Sequence, residues 1–219
     1  MIDHVQKPAL IAAGSFAIIR AELQGAGYHF APPLAAVVER IIHSTADFDF
    51  ASITQTSAGA IEAGVQALRS GCPVITDVNM VRVGISAPRL AAWGGTVHCF
   101  VADKLTHERA QTAEITRSAM GMRLAAEQGL LEGSIAVVGN APTALYEVLH
   151  WVKQGIRPAL VIGVPVGFVS TVESKEALMQ VNTVPWIVTA GRKGGSTVAV
   201  AIVNALLRLA GDAAATEID

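Results

Sequence analysis

The chain is short of charge. Only 16% of its 219 residues are Asp, Glu, Lys or Arg, and the formal net charge is −2. No basic run occurs, so the electrostatic footprint of a nucleic-acid binder is missing. Cysteine is scarce too. Cys72 and Cys99 stand alone, without CxxC or metal-type spacing, and read as small buried hydrophobes on strand-like segments. His4, His29, His98, His107 and His150 are scattered. With no HExxH and no His/Asp cluster, no metal site is expected. The lack of GxGxxG after a first strand, and of GxxxxGK[ST], weighs against nicotinamide binding and nucleotide hydrolysis. Long apolar runs are also missing. Pro158–Val172 is broken by proline and glycine, and Thr197–Leu207 by Asn204. Neither reaches the roughly 18–20 uninterrupted apolar residues that a membrane helix needs.

What is abundant is apolar side chain, at 52% of residues. A parallel sheet covered on both faces accounts for such an excess, because its strands are apolar on both sides. A subunit interface and an apolar ligand cavity would take up the rest. No repeat or linker divides the chain, and its length suits one large domain over residues 1–211. The Ala-rich segment 212–219 is expected to fray. Lys7 followed by Ala9–Ile19 has the outline of a signal peptide. Asp3 ahead of it, Arg20 and Glu22 behind it and the want of a cleavage site favour a buried first helix in a cytoplasmic protein.

Hydrophobic periodicity predicts helices over Pro8–Gly25 and Pro32–Thr45, a short strand over Phe48–Thr54, and a helix over Ala58–Ser70 closed by Gly71. Strands follow at Pro73–Asp77, Thr96–Val101, Ser134–Val138, Ala159–Ile162 and Trp186–Thr189. Helices are expected at His107–Gln128 (the longest), Pro142–Lys153, Ser174–Gln180 and Gly195–Leu209. This alternation implies an α/β fold: a single domain with a mainly parallel sheet and helices on both faces. Ligands of such sheets bind at the carboxyl ends of the strands. Asp77, Gly139-Asn140, Gly163–Phe168 and Gly191–Ser196 all follow strands and would meet along that edge.

His43 closes the second helix. One imidazole in an apolar cavity can move a proton near neutral pH without metal or cofactor. The negative end of the helix dipole favours imidazolium there, Glu39 one turn back favours it as well, and Arg40 opposes it. The alternative for a lone helical histidine is a hydrogen bond to a backbone carbonyl. Gly139–Pro142 and Gly194-Gly195-Ser196 each open a helix, and their free N–H groups are anion sites or plain helix caps. Arg20, on a helix read as buried, needs a partner: a ligand carboxylate, Glu22 or another acid. Arg117, three residues after Glu114, poses the same choice.

In order along the chain, these blocks resemble the precorrin-8X methylmutase (precorrin isomerase) family of cobalamin biosynthesis. The resemblance is carried by Ser15–Arg20, Ile41-Ile42-His43, Asp77 with Met80-Val81, Thr116-Arg117-Ser118, Gly139–Leu145, Pro165–Val169, Glu173-Ser174-Lys175 and Gly191–Ser196. It implies migration of a methyl group from C-11 to C-12 of a corrinoid macrocycle, converting precorrin-8X to hydrogenobyrinate, with no redox change and no cofactor. It also implies that His43 is the catalytic residue, that Ser15 and Arg117 contact substrate, and that a homodimer holds the pocket at its interface. Arg20, Arg117, Lys175 and Arg192 are then candidate clamps for the substrate's carboxylates. Met80, Val166 and Phe168 are candidates for its apolar wall. Asp77, Asn140, Thr143, Gly167, Gly195 and Ser196 complete the expected substrate contacts. The rivals are the same shift on a cobalt-containing substrate, a corrinoid carrier without catalysis, and a methyltransferase using S-adenosylmethionine.

Overall fold

The computed structural model describes residues 8–216, with side chains for residues 10–211. Lys7 and the side chains of the segment 212–219 lie outside the described residues. In chain order the elements are α1 Pro8–Gly25, α2 Pro32–Thr45, α3 Phe50–Ile53, β1 Thr54–Thr56, α4 Ala60–Arg69, β2 Val74–Thr76, α5 Asn79–Gly84, α6 Ala87–Ala91 and β3 Val97–His98. They continue with α7 Lys104–Thr112, α8 Arg117–Glu127, β4 Ile135–Val138, α9 Pro142–Lys153, β5 Leu160–Gly163, α10 Thr171–Met179, β6 Trp186–Thr189 and α11 Ser196–Thr216.

The strands form one sheet in the order β1-β6-β5-β4-β2-β3. Every pairing is parallel except that of β1 with β6 at the edge. Alternate residues of each central strand enter different layers. Ile135, Val137, Leu160 and Ile162 pack under α2, α4 and α11, in one core. Ala136, Val138 and Val161 pack under α8 and α9, in the other. The doubly covered parallel sheet expected from composition is therefore present. Among the described residues no helix is long and apolar enough to cross a membrane.

From β2 the chain steps outward to β3, then crosses to β4 on the other side of β2. The sense of winding reverses between β2 and β4. Crevices at the carboxyl ends of strands open at such reversals, so the sheet order singles out the ends of β2 and β4, where Asp77 and Gly139 lie.

Several expectations need correction. The strand read at Phe48–Thr54 is a helical turn, α3, leading into β1 at Thr54–Thr56. The helix read over His107–Gln128 is two helices. Glu114 adopts a left-handed φ of 54° between them, and Thr116 caps α8 by accepting from the Ala119 N–H at 3.2 Å. No glycine or proline marks that break. The longest helix is instead α11. The strand at Thr96–Val101 pairs only over Val97–His98, and α5 and α6 were not foreseen. The largest departure is α1. Ile19 and Leu23 are buried, but Leu10, Ile11 and Ile18 are exposed. An apolar helix was read as a core helix, whereas within one chain it lies on the surface, covered along one side. Cys72 and Cys99 are half-buried rather than fully buried, and burial pushes the Cys72 thiol up to about 11.

Candidate active site

Asp77 ends β2 and is buried. Its carboxylate accepts the backbone N–H groups of Gly139 at 3.0 Å, Asn140 at 2.9 Å and Ala141 at 2.8 Å. The Gly139–Ala141 N–H groups, expected to be anion sites or plain caps, are thus taken by the protein's own carboxylate. Burial raises the Asp77 pKa, and the three amides work against that rise. Asp77 pins the end of β4 to the end of β2. This corrects its expected role as a substrate contact. Gly139 lies so near α11 that a side chain there would meet Val81, Ala199 and the Ser196 backbone at 2.8–3.1 Å. Asn140 and Ser196 therefore flank the same point of the sheet edge.

The loops after β5 and β6 are laced together. Gly195 N–H donates to the Val164 carbonyl at 2.8 Å, and Gly167 N–H to the Arg192 carbonyl at 3.3 Å. Gly194 is glycine because any Cβ would collide with the carbonyls of Val164 and Pro165. The Arg192 guanidinium lies 5.5 Å from the centre of the Phe168 ring. Phe168 is 81% exposed and Met80 70%, and Val166 is exposed as well. Large apolar side chains thus stand in solvent here, one of them beside an arginine.

Lys175 does not fit its expected role. It is 0% exposed. Its ammonium donates to the carbonyls of Gly191 at 3.0 Å and Lys193 at 2.7 Å, and to Thr189 Oγ1 at 3.4 Å. Burial drives its pKa down to about 8. It is a latch beneath the Gly191–Gly195 loop, not a clamp facing a ligand. Arg20 is likewise engaged. Its Nε donates to both carboxylate oxygens of Glu39 at 2.9–3.0 Å, and the side chain is exposed rather than buried. The partner sought for Arg20 is Glu39, and the Glu39 carboxylate is correspondingly diverted from His43.

His43 is exposed in the last turn of α2. Its ring stacks on Phe16 of α1, with centroids 4.8 Å apart and planes inclined by 23°. Arg40, one turn earlier, lies 5.1 Å from the centre of the same ring. Ser15 adjoins Phe16 and is half-buried. Just beyond α2, Asp47 and Asp49 each bind Lys193 Nζ at 2.6 Å. The end of α2 is thereby tied to the glycine loop over the sheet edge. That bridge spans 146 residues in sequence, and no local spacing announces it. Thr116 Oγ1 and Thr143 Oγ1 are 2.7 Å apart, so Arg117 and Thr143 start adjacent helices side by side. Arg117 is exposed and forms no ion pair among the described residues, Glu114 included.

Of the expected residues, Asn140, Thr143, Arg117, Val166, Gly167, Phe168, Arg192, Gly195 and Ser196 thus collect at one edge. Five surface cavities of about 240–420 Å³ are lined by residues other than His43. None of these five is the apolar cavity expected around the imidazole. No group of three or more His, Cys, Asp or Glu is arranged to hold a metal among the described residues.

This is an α/β protein whose sheet edge presents apolar side chains and arginines, with one stacked imidazole at the end of α2. Comparison with known proteins gives the family. A family model described as precorrin-8X methylmutase matches residues 10–209. Cobalt-precorrin-8 methylmutase of Leptospira interrogans is 48% identical over 89% of this chain and 90% of its own length. Precorrin-8X methylmutase of Pseudomonas aeruginosa is 39% identical over 94% and 98%. A solved structure of precorrin-8X methyl mutase from Thermus thermophilus superposes with a TM-score of 0.86 at 45% identity, covering 94% of this chain and 97% of that one. The chain belongs to the precorrin-8X methylmutase family.

Proposed function

We propose that the chain is an isomerase of cobalamin biosynthesis that moves a methyl group from C-11 to C-12 of a precorrin-8-type macrocycle, with His43 as general acid. The observation that carries this reading is the imidazole itself. It is exposed and stacked on Phe16, and the segment just after its helix is tied to the glycine loop through Asp47 and Lys193. A 1,5-sigmatropic shift needs no nucleophile, because the bond to C-11 breaks as the bond to C-12 forms. A proton delivered by His43 to a ring nitrogen near C-11 withdraws electron density and eases migration. It returns to the imidazole afterwards, so nothing is consumed. Such acid help is worth about 10²–10⁴ in rate, and holding the ring still adds to it.

His43→Ala is expected to abolish turnover while the protein still binds the corrinoid product. Retained turnover removes His43 from the mechanism. Multiple turnovers by catalytic amounts of protein, without added cofactor, separate this reading from a carrier and from an S-adenosylmethionine enzyme. A cobalt-bearing substrate is a specific second reading. The relatives named after it, from Leptospira interrogans and Salmonella typhimurium, are 48% and 44% identical, against 39% for the one from Pseudomonas aeruginosa named after precorrin-8X. Parallel assays with metal-free and cobalt-loaded substrate decide it.

The reading includes a homodimer that closes the site, working in the cytoplasm. The bare apolar side of α1 (Leu10, Ile11 and Ile18) supports the dimer. Burying each such side chain is worth about 1.5–3 kcal/mol. Ile18→Glu is expected to yield monomers in light scattering, and an unaltered mass places the subunit contact elsewhere.

A further inference from the structure

The arginines that remain without a counter-charge are not those that sequence spacing suggested. Arg40 is partly buried, and the charges acting on it are two further guanidiniums, those of Arg208 and Arg89. Its own burial, and after that their repulsion, lowers the Arg40 pKa. None of the three forms an ion pair among the described residues. Arg40 is half-buried while Arg89 and Arg208 are exposed, and a bound anion would offset the repulsion among them.

The cluster also has a shape. Arg40 and Arg208 line a cavity of about 340 Å³, floored by Phe16 and Leu209, with Arg20 and Glu39 in its wall. Glu39 does not neutralise it, since both its oxygens are taken by Arg20 Nε. Three guanidiniums against one carboxylate leave the lining two charges positive. The volume lies at the lower end of ligand pockets, so it suits one acid-bearing arm rather than a macrocycle. Its position is specific as well, because the Phe16 ring that carries Arg40 also carries His43.

The geometry points to a carboxylate-binding subsite formed by Arg40 and Arg208 that anchors one acidic side chain of the corrinoid next to His43. This rests on the methylmutase reading. Paired guanidiniums grip a carboxylate through charge-assisted hydrogen bonds, and the grip acts equally before and during the methyl shift. It therefore sets affinity and register rather than the chemical step.

The test uses the full-length protein, with Arg208→Gln chosen because Arg40 also supports the Phe16–His43 stack. Hydrogenobyrinate and its fully esterified form are titrated into wild type and variant. The variant is expected to bind the acid roughly tenfold more weakly, to bind the ester as the wild type does, and to raise KM with kcat retained. Equal affinity for the acid, or an equal loss with the ester, overturns the subsite. Should the wild type bind no corrinoid, the methylmutase reading fails on its own account. The subsite is then decided by titrating glutarate against the arginine Nε–H NMR signals. Shifts at Arg40 and Arg208 sustain it, and unmoved signals at these two overturn it.

Discussion

Lys175→Met is the most informative single substitution. Lys175 is wholly buried, and its hydrogen-bond acceptors are two carbonyls and one hydroxyl, with no carboxylate. Burial lowers its pKa from 10.5 to about 8. Above about pH 8 the folded protein releases this proton, whereas the unfolded chain keeps it until about 10.5. Across that window the unfolded state holds more protons, so the stability owed to this group rises with pH. At about 1.4 kcal/mol per pKa unit, the rise is about 3 kcal/mol, and it levels off below pH 8. Methionine fills the stem's volume and does not titrate. Urea unfolding of both proteins from pH 7 to 10.5, followed by circular dichroism, isolates the effect, because other titrating groups cancel in the difference. The expected result is that wild type gains about 3 kcal/mol on the variant over this range. A flat difference would refute the reasoning, showing the ammonium to be solvated or paired with an acid.

Other outcomes follow from the same geometry. Gly194→Ala drives a Cβ into the carbonyls of Val164 and Pro165. It should cost about 1–3 kcal/mol in urea unfolding and weaken corrinoid binding, because Arg192 and Phe168 lose their frame. Asp77→Ala leaves three N–H groups of the loop between β4 and α9 without their acceptor. A loss of about 2–5 kcal/mol is expected, measured as a fall in Tm. Lys193→Ala cuts the tie between α2 and the glycine loop. Exposed pairs contribute little to stability, so Tm should hardly change while kcat falls. A fall in Tm with kcat intact would make the tie merely structural.

The candidate site was only partly legible in the sequence. His43, Arg117, Arg192 and the glycine blocks stand where runs end and helices begin, and such punctuation is local. Lys175 and Arg20 were read as ligand clamps because residue type reveals charge but not direction. One side chain points under a loop and the other meets Glu39 on a neighbouring helix. No glycine or proline marks the break between α7 and α8, because Glu114 itself takes the left-handed turn.

Periodicity and composition alone settled the layered α/β architecture. Strands apolar on both faces must be covered on both faces, and helices between parallel strands supply that cover. Which charges face a ligand was settled only by tertiary structure. Asp77 turns in to hold the loop between β4 and α9, Lys193 reaches Asp47 across most of the chain, and Arg40 shares a cavity with Arg208. Hydrophobic pattern is written residue by residue, whereas a charge's partner is chosen by whatever distant segment the packing delivers to it.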